Sequence, residues 1–97
     1  MPGAKGYSTP YQPPKQAKSF TTAGSDIDVS LTIDKVPHLP QFAIVNYGTV
    51  AGNLVVEYTG GAVGDVTIAC DAGHYIGGGF DKIDSTSTAG VIITCYY

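Results

Sequence analysis

Ninety-seven residues, 43% apolar and 13% charged, with a formal net charge of −3, bound a single small acidic domain. The sequence contains no arginine, and its acid excess would repel a phosphate backbone, so nucleic-acid recognition is not expected. No apolar run is long enough to span a bilayer, and residues 1–25 lack the apolar stretch of a signal peptide, so no membrane role and a cytosolic site of synthesis are expected.

The first 25 residues differ in kind from the rest. They hold four of the six prolines, with Lys5, Lys15 and Lys18 and no acid, for a charge of +3. Residues 26–97 carry all eight acids against Lys35 and Lys82, for −6. The chain therefore reads as an arm, 1–25, on a body, 26–97. Opposite charges on the two favour docking of one copy's arm on another copy's body. Pro10, Pro13 and Pro14 fix their own φ and bias the preceding residues away from helix, which makes the arm extended. Tyr7, Tyr11 and Phe20 are spaced as aromatic anchors, and Lys5, Lys15 and Lys18 as partners for acids. A solvated tail is the plain alternative.

In the body, Ile27, Val29, Leu31 and Ile33 alternate with Asp28, Ser30, Thr32 and Asp34, which predicts a strand. Pro37 and Pro40 predict a corner over 36–40 rather than a strand interior. An apolar run over 41–47 predicts a second strand buried on both faces. Glycines at 48 and 52 predict a turn, residues 53–58 a third strand, and Gly60-Gly61 a hairpin turn. Residues 63–70 predict a fourth strand with Val66, Ile68 and Cys70 on one face. Tyr75 to Ile83 reads as one strand interrupted at Gly77-Gly78-Gly79 by a bulge or bend. The polar loop 84–90 precedes a final strand with Val91, Ile93 and Cys95 inward and Ile92, Thr94 and Tyr96 outward. No window has a 3.6-residue period. The expected fold is all-β: a small six- to seven-stranded β-sandwich or jelly-roll-like barrel with an extended N-terminal arm.

Candidate chemistry is thin. Asp71, His74, Asp81 and Asp84 can be drawn as an oxygen-rich metal cluster, but their spacing matches no ligand motif, and His38 is the only other histidine. His74 and Asp71 with Ser85 or Ser87 could be drawn as a triad, but no nucleophile elbow surrounds either serine. Gly77-Gly78-Gly79 lacks the Lys-Ser/Thr of a phosphate loop. No enzyme activity, metal or cofactor is expected. Cys70 and Cys95 read as small buried hydrophobes in a reducing compartment, or as a cross-strand disulfide formed after release from the cell.

A run of short motifs carries a resemblance over about 60 residues, Leu39 to Tyr97. It consists of Ala43-Ile44-Val45-Asn46, Val50-Ala51-Gly52-Asn53-Leu54-Val55-Val56, Asp65-Val66-Thr67-Ile68, Asp71-Ala72-Gly73-His74-Tyr75, and Lys82 through Ile93. This cadence resembles small virion proteins of tailed bacteriophages and gene-transfer agents, among them proteins labelled spike base. Ser87 stands where that pattern often has glycine, and the long arm is closer to what capsid cement proteins use. The resemblance implies a non-enzymatic, oligomeric virion component assembled in the host cytoplasm, with no catalytic residues to carry over. A capsid decoration or cement role as a homotrimer on the major capsid protein is the expectation. A tail, spike-base or fibre-associated protein, or a host-glycan-binding module, is the alternative.

Overall fold

The computed structural model describes residues 13–48, 52–58, 65–69 and 71–97. Lys5, Tyr7, Pro10, Tyr11 and Cys70 lie outside these residues, as do the expected turns at 49–51 and Gly60-Gly61. The described residues are all-β, with ten strands: β1 (Ala17–Thr21), β2 (Ile27–Asp28), β3 (Leu31–Ile33), β4 (Val36–His38), β5 (Phe42–Tyr47), β6 (Asn53–Tyr58), β7 (Asp65–Ala69), β8 (Tyr75–Gly77), β9 (Phe80–Ile83) and β10 (Ile92–Tyr96).

They form two four-stranded sheets, ordered β1-β10-β5-β8 and β2-β9-β6-β7, and a β3-β4 ribbon. Every pairing is antiparallel. Period-two alternation places one face of each four-stranded sheet on a shared core. Ala43, Val45, Ile76, Ile93 and Cys95 come from the first sheet, and Leu54, Val56, Phe80 and Ile83 from the second. The final strand alternates as its sequence predicts, with Val91, Ile93 and Cys95 buried.

The first strand is not part of the expected body. Ala17–Thr21 lies inside the stretch read as a free arm, yet it pairs along its whole length with β10, from Ile92↔Thr21 to Tyr96↔Ala17. Phe20 shares the inward parity of Ile93, its cross-strand partner, and packs half-buried against the core. Thr22 is buried and ties this segment to the 88–91 turn. Its hydroxyl donates to Thr88 O at 2.6 Å and accepts from Val91 N at 2.9 Å, while its backbone bonds Val91 O and Gly90 N. The division between arm and sheet therefore falls N-terminal to residue 17. Composition hid this because Lys18 and Ser19 are polar, as an edge strand tolerates.

Three further expectations are modified. The alternation over 27–34 has the predicted facing, but it is two short strands. Asp28 Oδ1 accepts from both Ser30 N (2.9 Å) and Ser30 Oγ (2.7 Å), an Asx turn that breaks the ladder. The 36–40 corner contains a strand, β4. Asp34 (φ 52°) and Lys35 (φ 66°) form a two-residue turn with both central residues left-handed, as a type I′ hairpin requires. Ile33 and Val36 close that turn, so the next pair, Thr32↔Pro37, is the non-hydrogen-bonded kind and needs no N–H from Pro37. The 41–47 strand is buried on one face only: Ala43 and Val45 are inside, while Phe42 and Ile44 are half-covered on the outside.

The glycine run acts as a crossing rather than a bulge within one strand. Residues 75–77 lie in the first sheet and 80–83 in the second. A Cβ on Gly78 would overlap the carbonyl oxygens of Pro40 and Gln41, and Gly79 adopts φ 94°. Only glycine permits that close backbone approach and turn. The bulge itself sits one step later, at Asp81, where the register jumps from Phe80↔Tyr58 to Lys82↔Glu57.

Replacing Asp34-Lys35 by Asn-Gly should stabilise the protein by about 1 kcal/mol, by relieving two left-handed non-glycine residues. A rise in the urea midpoint at constant m-value is the expected readout. Removing residues 2–24 deletes β1 and Thr22 and should cost roughly 3–5 kcal/mol, enough to unfold a body of this size. Removing 2–12 should leave the thermal midpoint within about 3 °C of the full chain. Circular dichroism melts compare the two.

Candidate functional site

The outward face of the first sheet carries a row of aromatic rings that the core does not use. β10, β5 and β8 are neighbours, and each contributes one ring to a row that crosses them. Phe42 stacks on Tyr96 at 4.8 Å between centroids and on Tyr75 at 5.6 Å, with 17° between planes in both pairs. The first separation matches the distance between adjacent strands, so the rings stand upright on the sheet with their faces toward one another. Tyr75 ends the row and is 61% exposed, and among the described residues no ring covers its far face.

A polar row runs beside the aromatic one. Thr94 bonds Ser19 at 2.9 Å on one side and Asn46 on the other. Asn46 is the extra residue of a bulge between Ile93↔Val45 and Ile92↔Tyr47. The bulge turns Tyr47 outward, where it is 59% exposed. On β5 Ile44 lies beside Phe42, between Thr94 and Tyr75, so the apolar strip is two side chains wide there and one wide on β10 and β8.

The described arm residues meet this sheet at the aromatic end. Lys15 N donates to Tyr97 O at 2.7 Å and Tyr97 N to Gln16 O at 2.8 Å, continuing the β1–β10 ladder beyond Tyr96. Pro13 is exposed and Pro14 half-buried. Lys18 is exposed, with its ammonium 5.3 Å from the Phe20 ring centroid. Of the predicted anchors, Phe20 is thus engaged with its own core. Lys5, Tyr7, Pro10 and Tyr11 lie outside the described residues.

Of the residues drawn as possible catalytic or metal groups, Asp84 and Ser87 hold neighbouring backbone with their side chains, and His74, Asp71 and Ser85 are bonded through their backbone. His74 N bonds Asp71 O at 3.0 Å and its carbonyl accepts from Val45 N, which sets the entry to β8. Asp84 accepts from Thr86 N and Oγ1, which holds its carboxyl below the usual range. Ser87 is buried and its hydroxyl accepts from Val55 N at 2.8 Å. Ser85 N donates to Asp26 at 2.8 Å. His38 is half-buried on β4. Among the described residues, no three His, Cys, Asp or Glu side chains converge as metal ligands would. A groove of about 420 Å³ on the second sheet is lined by Asp28, Ser30, Leu39, Glu57, Asp81 and Lys82. Lys82 is paired there with Glu57 at 3.0 Å, and Asp81 Oδ1 is buried without a donor.

Cys95 is a free thiol in the core. Burial pushes its pKa up to about 11, and burial likewise raises the Tyr97 hydroxyl, which donates to Val29 O. Such a thiol is inert at neutral pH. No protein-family model, curated protein or solved structure matches the chain.

Both groups favour their neutral forms in the folded protein. Their stabilisation is complete below the unfolded thiol pKa and is lost as pH rises through the folded value. Urea unfolding should therefore show stability falling between about pH 9 and 11, and Cys95→Val should flatten that slope.

Proposed function

We propose that this chain is a non-enzymatic structural protein of a phage particle, a capsid decoration or cement protein. Its body is read as a β-sandwich whose two four-stranded sheets are the layers, with residues N-terminal to β1 as the docking arm. The observation that carries this reading is the aromatic row on the outer face of the first sheet. A small protein that keeps Phe42, Tyr75 and Tyr96 on an outward sheet face is built to contact something there. Tyrosine and phenylalanine are the residues that supply contact area at low entropic cost, and they dominate interface energetics.

The arm adds a second, weaker contact. Its lysines meet acidic neighbours, including the major capsid protein, and a homotrimer multiplies modest contacts by avidity. The action is mechanical and needs no cofactor, metal, nucleic acid or membrane. Asp84 and Ser87 use their side-chain oxygens to hold neighbouring backbone, which supports a structural role for these two over an enzymatic one. Upright stacking also disfavours a glycan-binding module, since a pyranose packs on an outward ring face and, among these three rings, the far face of Tyr75 is the exposed one. A tail or spike-base position remains the second reading, on the cadence of residues 39–97.

Protein lacking residues 2–12 keeps β1 and should fold, so its behaviour isolates the arm. Added to particles stripped of this protein, it should bind with at least tenfold lower affinity than the full chain. Equal occupancy overturns the reading. Lysine cross-links from Lys5, Lys15 and Lys18 on intact particles then discriminate shell from tail by the partner they reach.

A further inference from the structure

We propose that the Tyr96–Phe42–Tyr75 row is the seat of the N-terminal segment, residues 1–12, of a second copy of this chain, with Tyr11 or Tyr7 completing the stack against Tyr75. This deepens the docking-arm reading above and rests on it.

The shape of the patch selects the kind of occupant. The aromatic row is bordered by Ile44 on β5 and by the hydrogen-bonded Ser19, Thr94 and Asn46, so polar groups lie directly beside the apolar contact. A whole sheet laid face to face would bury that polar row against apolar side chains. An extended segment one residue wide would not. Among the described residues the row ends at Tyr75. Tyr96 and Phe42 each have a stacking partner, whereas Tyr75 has Phe42 on one face and, among the described residues, none on the other. Tyr75 is the more exposed ring end and sits on β8, an edge strand of its sheet. A stacked ring there would gain aromatic contact at a place already held rigid.

The segment has the matching chemistry. Residues 1–12 contain two tyrosines, one lysine and no acid. Tyr7 and Tyr11 are four residues apart, which puts both rings on one side of an extended chain. In a bound, extended conformation residues 7, 9 and 11 would direct their N–H groups to one edge, and residues 8 and 10 to the other. Pro10, which has no N–H, therefore leaves the Tyr-bearing edge able to bond a strand. Asp71 stands exposed in the turn that leads into β8, a partner for Lys5.

Where the segment joins the body selects a second copy over the same one. Lys15 is bonded to Tyr97 at the far end of β10, so the chain followed back toward residue 1 leaves the sheet past its end. Gln12 and Pro13 each precede a proline and are biased to extended backbone, and Pro13 and Pro14 have fixed φ. A reversal onto the same outer face within residues 11–14 is thereby disfavoured. Tyr11 is four residues from Lys15, a reach of roughly 13 Å if extended, enough to meet a neighbour's row.

The test uses the full chain. Tyr11 is replaced by photoreactive benzoylphenylalanine, the unlabelled variant is mixed with ¹⁵N-labelled protein, and the mixture is irradiated. Cross-links from unlabelled position 11 to labelled peptides containing residues 42–47 or 71–77 are expected. Links confined to single chains, or to other surfaces, overturn the proposal. In parallel, Tyr75→Ser should weaken self-association in sedimentation velocity about tenfold. Tyr47→Ser, on the same face but outside the row, should change it less than twofold. Equal effects of the two substitutions would also overturn it. If these links form while particle binding is unaffected by deleting residues 2–12, the function proposed above falls and this contact stands.

Discussion

Strand β10 comes last in the chain yet lies inside its sheet, hydrogen-bonded to β1 on one side and β5 on the other. Much of the molecule depends on that double pairing. Ile93 and Cys95 point from it into the core, and Thr94 and Tyr96 point from it to the outer face. Tyr97, one residue on, reaches the backbone of Val29 beside the second sheet. Without β1, one edge of β10 would be left unpaired, and Phe20 and Thr22 would leave the core margin they cover. The β1–β10 closure joins residues separated by roughly seventy positions, so folding pays a loop entropy that only the completed core offsets.

The same pairing anchors part of the N-terminal region. Residues 15–22 are bonded into the body, from Lys15 on Tyr97 to Thr22 on the 88–91 turn. That bonding explains how a polar, proline-rich segment could be both anchored and extended. A strand clamped by a ladder to β10 and by Thr22 to the 88–91 turn fixes where the chain leaves, and the prolines at 13 and 14 stiffen its departure.

The outer face of the first sheet illustrates how one backbone irregularity shapes a surface. The Asn46 bulge places Asn46 and Tyr47 on the same side and ends the clean alternation of β5. Beyond it Tyr47 faces outward opposite Ile92, and before it the rings of three strands line up. The Gly78-Gly79 crossing does the corresponding work at the other edge, keeping β8 to three residues and sending the chain to the second sheet. Tyr58 backs that crossing, with its hydroxyl on Gly77 O at 2.9 Å and its ring edge-on to Phe80.

The sequence by itself determined the all-β class, the facing of Ile27 through Ile33 and of Val91 through Tyr96, and the burial of Ala43 and Val45. Period-two alternation is a local property, and burial on one face follows from it without knowledge of partners. Only the tertiary structure decided which strands share a sheet. Pairing joins positions far apart in the chain, and no local pattern encodes that Ser19 faces Thr94 or that Phe42 stands between Tyr75 and Tyr96. Scattered tyrosines became a row through register alone. The 17–21 strand was concealed for the same reason: an edge strand carries polar side chains, and its identity lies in hydrogen bonds to β10 rather than in its own residues.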